Sequence, residues 1–305
     1  MYYVSIPPVA QLTLIPLFRH LSAFAFGVFC NAAFALTPPD AFHLLESYSS
    51  MEESLLRSNF LRPIQISSQE TAEHLDGDIF SIVEYDMSTI NATASSSERW
   101  CEVMLLLSNI QACQAKFGKK NDTLAVVISG SKTADISGAP PTEFLLRIQS
   151  ASNDYLDATL QANQGPLGTS NIRLRLQAIP LSATRSFVNL HYSYDTQWLG
   201  RMTMQAYLQT AGRGKVGFTR ELKAFGDTVY IGGARGVIER NTMRYFLGFD
   251  CALASHTLQA QQRFSSMAQC WYEQVEKYPV QLHEMQRNEY LNMKAEEYRR
   301  QQKNP

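Results

Sequence analysis

The feature that most constrains this chain is the run Gly232-Gly-Ala-Arg-Gly-Val-Ile-Glu-Arg-Asn-Thr-Met-Arg-Tyr-Phe-Leu-Gly-Phe, a glycine-rich turn that leads straight into an amphipathic segment. At about 100° per residue, Ile238, Thr242, Tyr245, Phe246, Phe249, Ala252 and Leu253 share one broad stripe. A stripe of that width has to be buried. Only a series of strand-like segments upstream offers a surface to match it, so the spacing predicts a long helix lying across a sheet. The same helix carries Arg240 and Arg244 within its first two turns. There, like charges four residues apart repel, and the positive end of the helix dipole disfavours cations. Two kinds of partner answer that imbalance. One is Glu239 with carboxylates from neighbouring strands. The other is the acidic group of a ligand, because a guanidinium pair suits planar anions. The sequence leaves both standing.

Residues 43–56 read as a helix, with Leu44, Tyr48, Met51 and Leu55 at helical spacing. Residues 62–67 read as a short strand opened by Pro63. Asp76-Gly77 reads as a hairpin turn into a second strand over residues 79–85. Ser95-Ser96-Ser97 marks the start of a helix that carries Trp100, Cys101, Met104 and Leu105, and a second short helix is expected over residues 109–116. Five strands follow, over residues 123–129, 143–149, 155–161, 172–179 and 186–194. Ile172, Leu174, Leu176 and Ala178 alternate with Arg173, Arg175 and Gln177, and Val188, Leu190, Tyr192 and Tyr194 alternate with Asn189, His191 and Ser193. One wet face and one apolar face are the habit of an antiparallel sheet. Residues 198–211 fit either a helix or a strand, and we read a helix ended by Gly212. The tail, residues 259–302, is helical in composition and broken at Pro279.

The chain has 305 residues, 45% of them hydrophobic, and a formal charge of −1, so nothing in it calls for a nucleic acid partner. Arg19-His20 precede a 15-residue apolar stretch that ends in Ala33-Phe34-Ala35. A positive flank, a short apolar core and small residues before a cut make a secretory signal peptide. An uncleaved N-terminal anchor is the alternative, since the segment before it is long and uncharged. Removal of the leader leaves Cys101, Cys113, Cys251 and Cys270. An exported compartment permits disulfides, and four cysteines allow three pairings. On one straight helix Cys101 and Cys113 would stand about 18 Å apart. They bond only if the chain folds back near Ser108-Asn109, which is the pairing we favour over free buried thiols. The expected division is a leader at 1–35, a main domain at 36–258 and a helical extension at 259–305.

The order helix, two strands, two short helices, five strands and a long helix resembles the START and Bet v 1-like (SRPBCC, helix-grip) superfamily over residues 41–255. The Trp100-Cys101 helix after strand two and the Gly236-Val-Ile-Glu-Arg-Asn-Thr-Met-Arg-Tyr start of the last helix are similar to those of exported bacterial members. The resemblance implies an α+β helix-grip fold, with a curved seven-stranded antiparallel sheet wrapped around a long C-terminal helix. It also implies an apolar cavity between them, which many members use to hold lipids, sterols or other hydrophobic molecules. The superfamily has no universal catalytic motif, so no catalytic residue carries over. Export, the 198–211 insert and the tail depart from the basic pattern.

Gly212-Arg-Gly214-Lys-Val-Gly217 matches the spacing of a dinucleotide loop but lacks the strand and helix that give that spacing its meaning, so it reads as a connection. The six histidines are scattered, no cysteine pair has zinc-ligand spacing, and no nucleophile elbow occurs. No catalytic residue, cofactor or metal is therefore expected. The expected ligand-binding residues are Val188, Leu190, Tyr192, Tyr194, Met202, Arg235, Glu239, Arg240, Arg244 and Tyr245. The function expected is a periplasmic or secreted protein that binds or transfers a hydrophobic small molecule or lipid, with transient membrane contact. Two alternatives are a cyclase- or hydrolase-like enzyme using Glu239, Tyr192 or Asp195 as acid or base, and a scaffold with a filled cavity whose charged tail binds a partner protein.

Overall fold

Among the described residues, eight strands build one sheet: β1 (Ile64–Glu70), β2 (His74–Val83), β3 (Ile110–Lys116), β4 (Thr123–Ile128), β5 (Thr142–Ala151), β6 (Leu156–Gln164), β7 (Thr169–Pro180) and β8 (Ser186–Thr196). The computed structural model describes residues 39–129, 140–210, 212–222 and 226–303. The expected leader and its anchor alternative lie outside them. Every neighbouring pair is antiparallel, in the order β1-β2-β8-β7-β6-β5-β4-β3.

Eight strands replace the expected seven because residues 109–116 form β3 and not a helix. A register shift between Ile110 and Ala112 interrupts its pairing with β4, so its burial does not alternate cleanly. Asp76-Gly77 is likewise no turn. The chain reverses earlier, where the Thr71 amide donates to the His74 carbonyl, and Gly77 sits inside β2. A Cβ at Gly77 would come within 2.7 Å of Thr242 Oγ1, so this glycine marks where a helix lies directly on the strand.

Helices cover both faces. α1 (Pro39–Leu56) packs Ala41, Leu44 and Leu55 against Ile82, Ile179 and Phe187 on the outer face. Between β2 and β3 stand α2 (Met87–Ala94), capped by Asp86, and α3 (Ser97–Leu106), capped by Ser96. The helical pair is therefore α2 with α3. α2 escapes a reading by period because only Met87, Ile90 and Ala94 make its apolar stripe. After the sheet come α4 (Trp198–Gln209), which confirms the helical reading of the insert, and the hairpin β9 (Arg220–Leu222) and β10 (Thr228–Tyr230). The insert helix is capped by Thr210, ahead of Gly212.

α5 (Gly233–Ala254) crosses the inner face and buries the whole predicted stripe. The tail folds as α6 (Ala260–Val275), α7 (Pro279–Leu282) and α8 (Arg287–Lys303), broken at Pro279 as expected. Phe264, Met267, Trp271 and Tyr290 join the same core as α3 and α5. Cys101 and Cys113 are bonded, fastening α3 to β3, and Cys251 and Cys270 fasten α5 to α6. No helix among the described residues is long and apolar enough to cross a membrane.

Candidate functional site

Side chains of α5 organise three neighbourhoods. Gly233 turns the chain into the helix with φ of 63°, a left-handed value that glycine adopts without strain. Two turns on, Glu239 is wholly buried. It accepts hydrogen bonds from Ser68 Oγ (2.8 Å), the Phe218 amide (2.6 Å), the Thr219 amide (2.9 Å) and Thr219 Oγ1 (2.6 Å). An ionised carboxylate has about four acceptor positions. All are taken by fixed donors, so Glu239 serves as a clamp between β1, segment 217–219 and the helix, a geometry unlike that of a free acid or base. Arg235, half-exposed, bonds Glu221 Oε1 at 2.7 Å and Ser68 Oγ at 3.3 Å.

The arginine pair divides. Arg244 meets Glu284 of the tail at 2.6 Å and Asn241 at 3.2 Å, and Ser108 donates to the same Glu284 carboxylate. Arg240 has no such partner. It is 1% exposed; among the described residues it donates to the Val216 carbonyl (3.3 Å) and the Tyr207 hydroxyl (3.4 Å) alone, and its Nε has no acceptor. Burial pushes its pKa below the ordinary arginine value, the Tyr207 hydroxyl pulls it back, and neighbouring Arg244 depresses it further.

The tyrosines form a second group on the sheet side of α5. Rings of Tyr192 and Tyr245 lie 5.0 Å apart, and those of Tyr192 and Tyr194 5.6 Å. Burial pushes Tyr245 up to about 12 and raises Tyr192 and Tyr194 well above the ordinary phenol, so all three stay neutral. Asp195 moves the other way. Hydrogen bonds from Asn171 and His74 hold its pKa below the usual carboxylate range, which removes the basis for treating it as a base raised by an apolar pocket. Val188 and Leu190 lie in the same core. Met202 is 51% exposed and points away, while Met204 of the same helix packs on the core. The expected residues thus do not share one wall: the tyrosines face the sheet, and the arginines face Tyr207, Val216 and the tail.

Leu160, Leu176, Leu190, Ile238, Phe246 and Phe249 are buried in the core that the sheet and helix share. A cleft of about 1020 Å³ lies along β1, at the rim of the sheet. Phe60, Phe218 and Tyr278 line it with ring centroids 5.6 to 5.9 Å apart, Ile64 and Ile66 add aliphatic surface, and Arg57 and Arg220 are at its edge. Arg220 stacks over Tyr230 at 4.8 Å. Glu239 builds one wall of this cleft by holding Phe218 and Thr219. No sequence signal marked it, because its lining comes from segments more than 200 residues apart.

Asp76 and Asp78 of β2 and His191 of β8 offer metal donors, one atom each within 4.8 Å of the others. His191 Nδ1 already lies 3.1 Å from Asp78 Oδ1. A search for local ligand spacing misses this trio, since cross-strand register assembles it. The alternation Asp76-x-Asp78 was its trace in the sequence, with His191 paired opposite Asp78.

One antiparallel sheet with a long helix after its last strand decides the architecture. It is a helix grip. Human StAR-related lipid transfer protein 5 is similar over 71% of this chain and 99% of its own, at 9% identity and a TM-score of 0.35. The Zhui aromatase/cyclase from Streptomyces sp. R1128 is similar over 65% and 98%, at 11% identity and a TM-score of 0.36. A START superfamily protein from Mycobacterium smegmatis is similar over 46% and 90%, at 16% identity and a TM-score of 0.28. No family model and no curated protein matches the chain.

Proposed function

We propose that this protein binds a hydrophobic, lipid-like small molecule outside the cytoplasm, and that the cleft along β1 holds it. The observation that carries the reading is the cleft itself. Its volume of about 1020 Å³ is at the upper end of ligand sites, and its lining combines Phe60, Phe218, Tyr278 and Ile66 with polar groups that include Arg220 and an Arg57–Glu53 ion pair. In this reading Glu239 and Arg235 hold the wall, and Tyr278 just ahead of α7 and Gln281 within it close one side, so the 259–305 extension completes a site begun by the 36–258 domain. The paired cysteines suit an oxidising compartment, which supports the exported location.

Native mass spectrometry of gently purified protein, with titration of a fluorescent fatty-acid analogue, tests the proposal. The wild type should retain or take up the apolar molecule. Ile66→Trp, which fills the cleft, should weaken uptake about tenfold or more while the thermal midpoint holds. A protein that is empty and takes up no probe, or an Ile66→Trp variant that binds like the wild type, removes the cleft from consideration.

A further inference from the structure

A guanidinium carries five N–H donors, and the penalty for burying its charge runs to several kcal/mol unless a partner offsets it. Arg240 spends two donors on long bonds to neutral oxygens, and its Nε is left with none. The nearby carboxylates are committed elsewhere. Glu239, its neighbour in sequence, takes four neutral donors from Ser68, Phe218 and Thr219. Glu284 bonds Arg244 and Ser108 and reaches Arg240 through its field, without a hydrogen bond to it. Segment 212–217, which passes over Arg240 at Val216, brings Arg213 and Lys215, and neither makes an ion pair among the described residues. The locality therefore carries excess positive charge around a cation that water cannot reach.

We infer that Arg240 anchors a binding site for a single oxyanion, a carboxylate or phosphate group, beneath Tyr207 and segment 212–217. The edge of the guanidinium that includes the free Nε suits bidentate contact with two oxygens of such a group. The Tyr207 hydroxyl accepts from Arg240, which leaves its own proton to donate to the anion. The covering segment is loosely packed at Gly214, which stands at φ of 76° with nothing within 4 Å of where a Cβ would be. Displacing it exchanges two long hydrogen bonds for a charge-assisted pair. The site is separate from the cleft and does not depend on it, although segment 216–219 borders both.

The test uses the full, disulfide-bonded chain. Acetate, inorganic phosphate, decanoate and decanol are titrated by calorimetry and by thermal midpoint, against the wild type, Arg240→Met and Tyr207→Phe. At least one anion should bind the wild type and raise its midpoint. Arg240→Met should weaken that binding tenfold or more, yet be at least as stable as the wild type without ligand, because it removes a buried charge that lacks a partner. Tyr207→Phe keeps the ring and should weaken binding several-fold, which serves if Arg240→Met does not fold. Binding of acetate or phosphate identifies a free anion, and binding of decanoate in preference to decanol identifies the headgroup of an amphiphile. Equal binding of decanoate and decanol overturns the anion site and leaves the cleft proposal intact. Absence of binding by every anion, or unchanged anion affinity in both variants, also overturns it.

Discussion

Tyr245 keeps its proton up to about 12 in the fold, whereas an unfolded tyrosine loses it near 10. Between those values the native state holds more protons than the unfolded one. This contribution is therefore fully present below about pH 10 and is lost as pH climbs toward 12, by at most about 2.7 kcal/mol. Tyr192, Tyr194 and Tyr290 are raised by burial and act with the same sign. The thermal midpoint should fall between about pH 9 and about pH 11, and Tyr245→Phe should fall less; equal slopes would remove Tyr245 as a cause. At this scale the sequence showed that Arg240 and Arg244 sit badly at a helix start. It did not show that they would part company. Arg244 found its carboxylate 40 residues downstream, across a chain reversal that helical spacing does not encode.

Gly77 lets α5 rest on β2. An added methyl would meet Thr242 Oγ1 at 2.7 Å, so Gly77→Ala should destabilise by about 1–3 kcal/mol through overpacking. Combining it with Thr242→Ala should recover part of the loss in chemical denaturation, and strict additivity would show that the two do not touch. The Asp-Gly pair read as a turn because that dipeptide usually is one. Here the glycine answers to a helix 165 residues later, which local chemistry cannot announce. β3 was misread for a related reason: its pattern breaks at the shift beside Ile110, and only pairing with β4 declares it a strand. α5, α1 and the alternating pair β7 and β8 were legible because each repeats its apolar side chains at one regular spacing, even where, as in α5 and β8, the polar face is buried too.

Across the whole molecule, the order of elements was legible and the place of open volume was not. The cleft forms where β1, α1, the 218–220 segment and α7 meet. The tail is sewn in by Lys294, wholly buried, whose Nζ donates to the carbonyls of Leu107 (2.7 Å) and Ile110 (3.0 Å) and to Glu297 (2.7 Å). Burial lowers the lysine's pKa and raises the glutamate's, opposed in each case by the partner. Lys294→Met strands Glu297 and two carbonyls, and should cost about 3–5 kcal/mol in denaturant unfolding. Adding Glu297→Gln should return part of it; a tail that merely dangled would register neither change.

One carboxylate holds the strip between the arginine and the cleft. Any movement of Val216 away from Arg240 pulls against the Glu239 bonds to Phe218 and Thr219. Two guests on either side of that strip would therefore sense each other, and by thermodynamic reciprocity each would alter the other's affinity by the same factor.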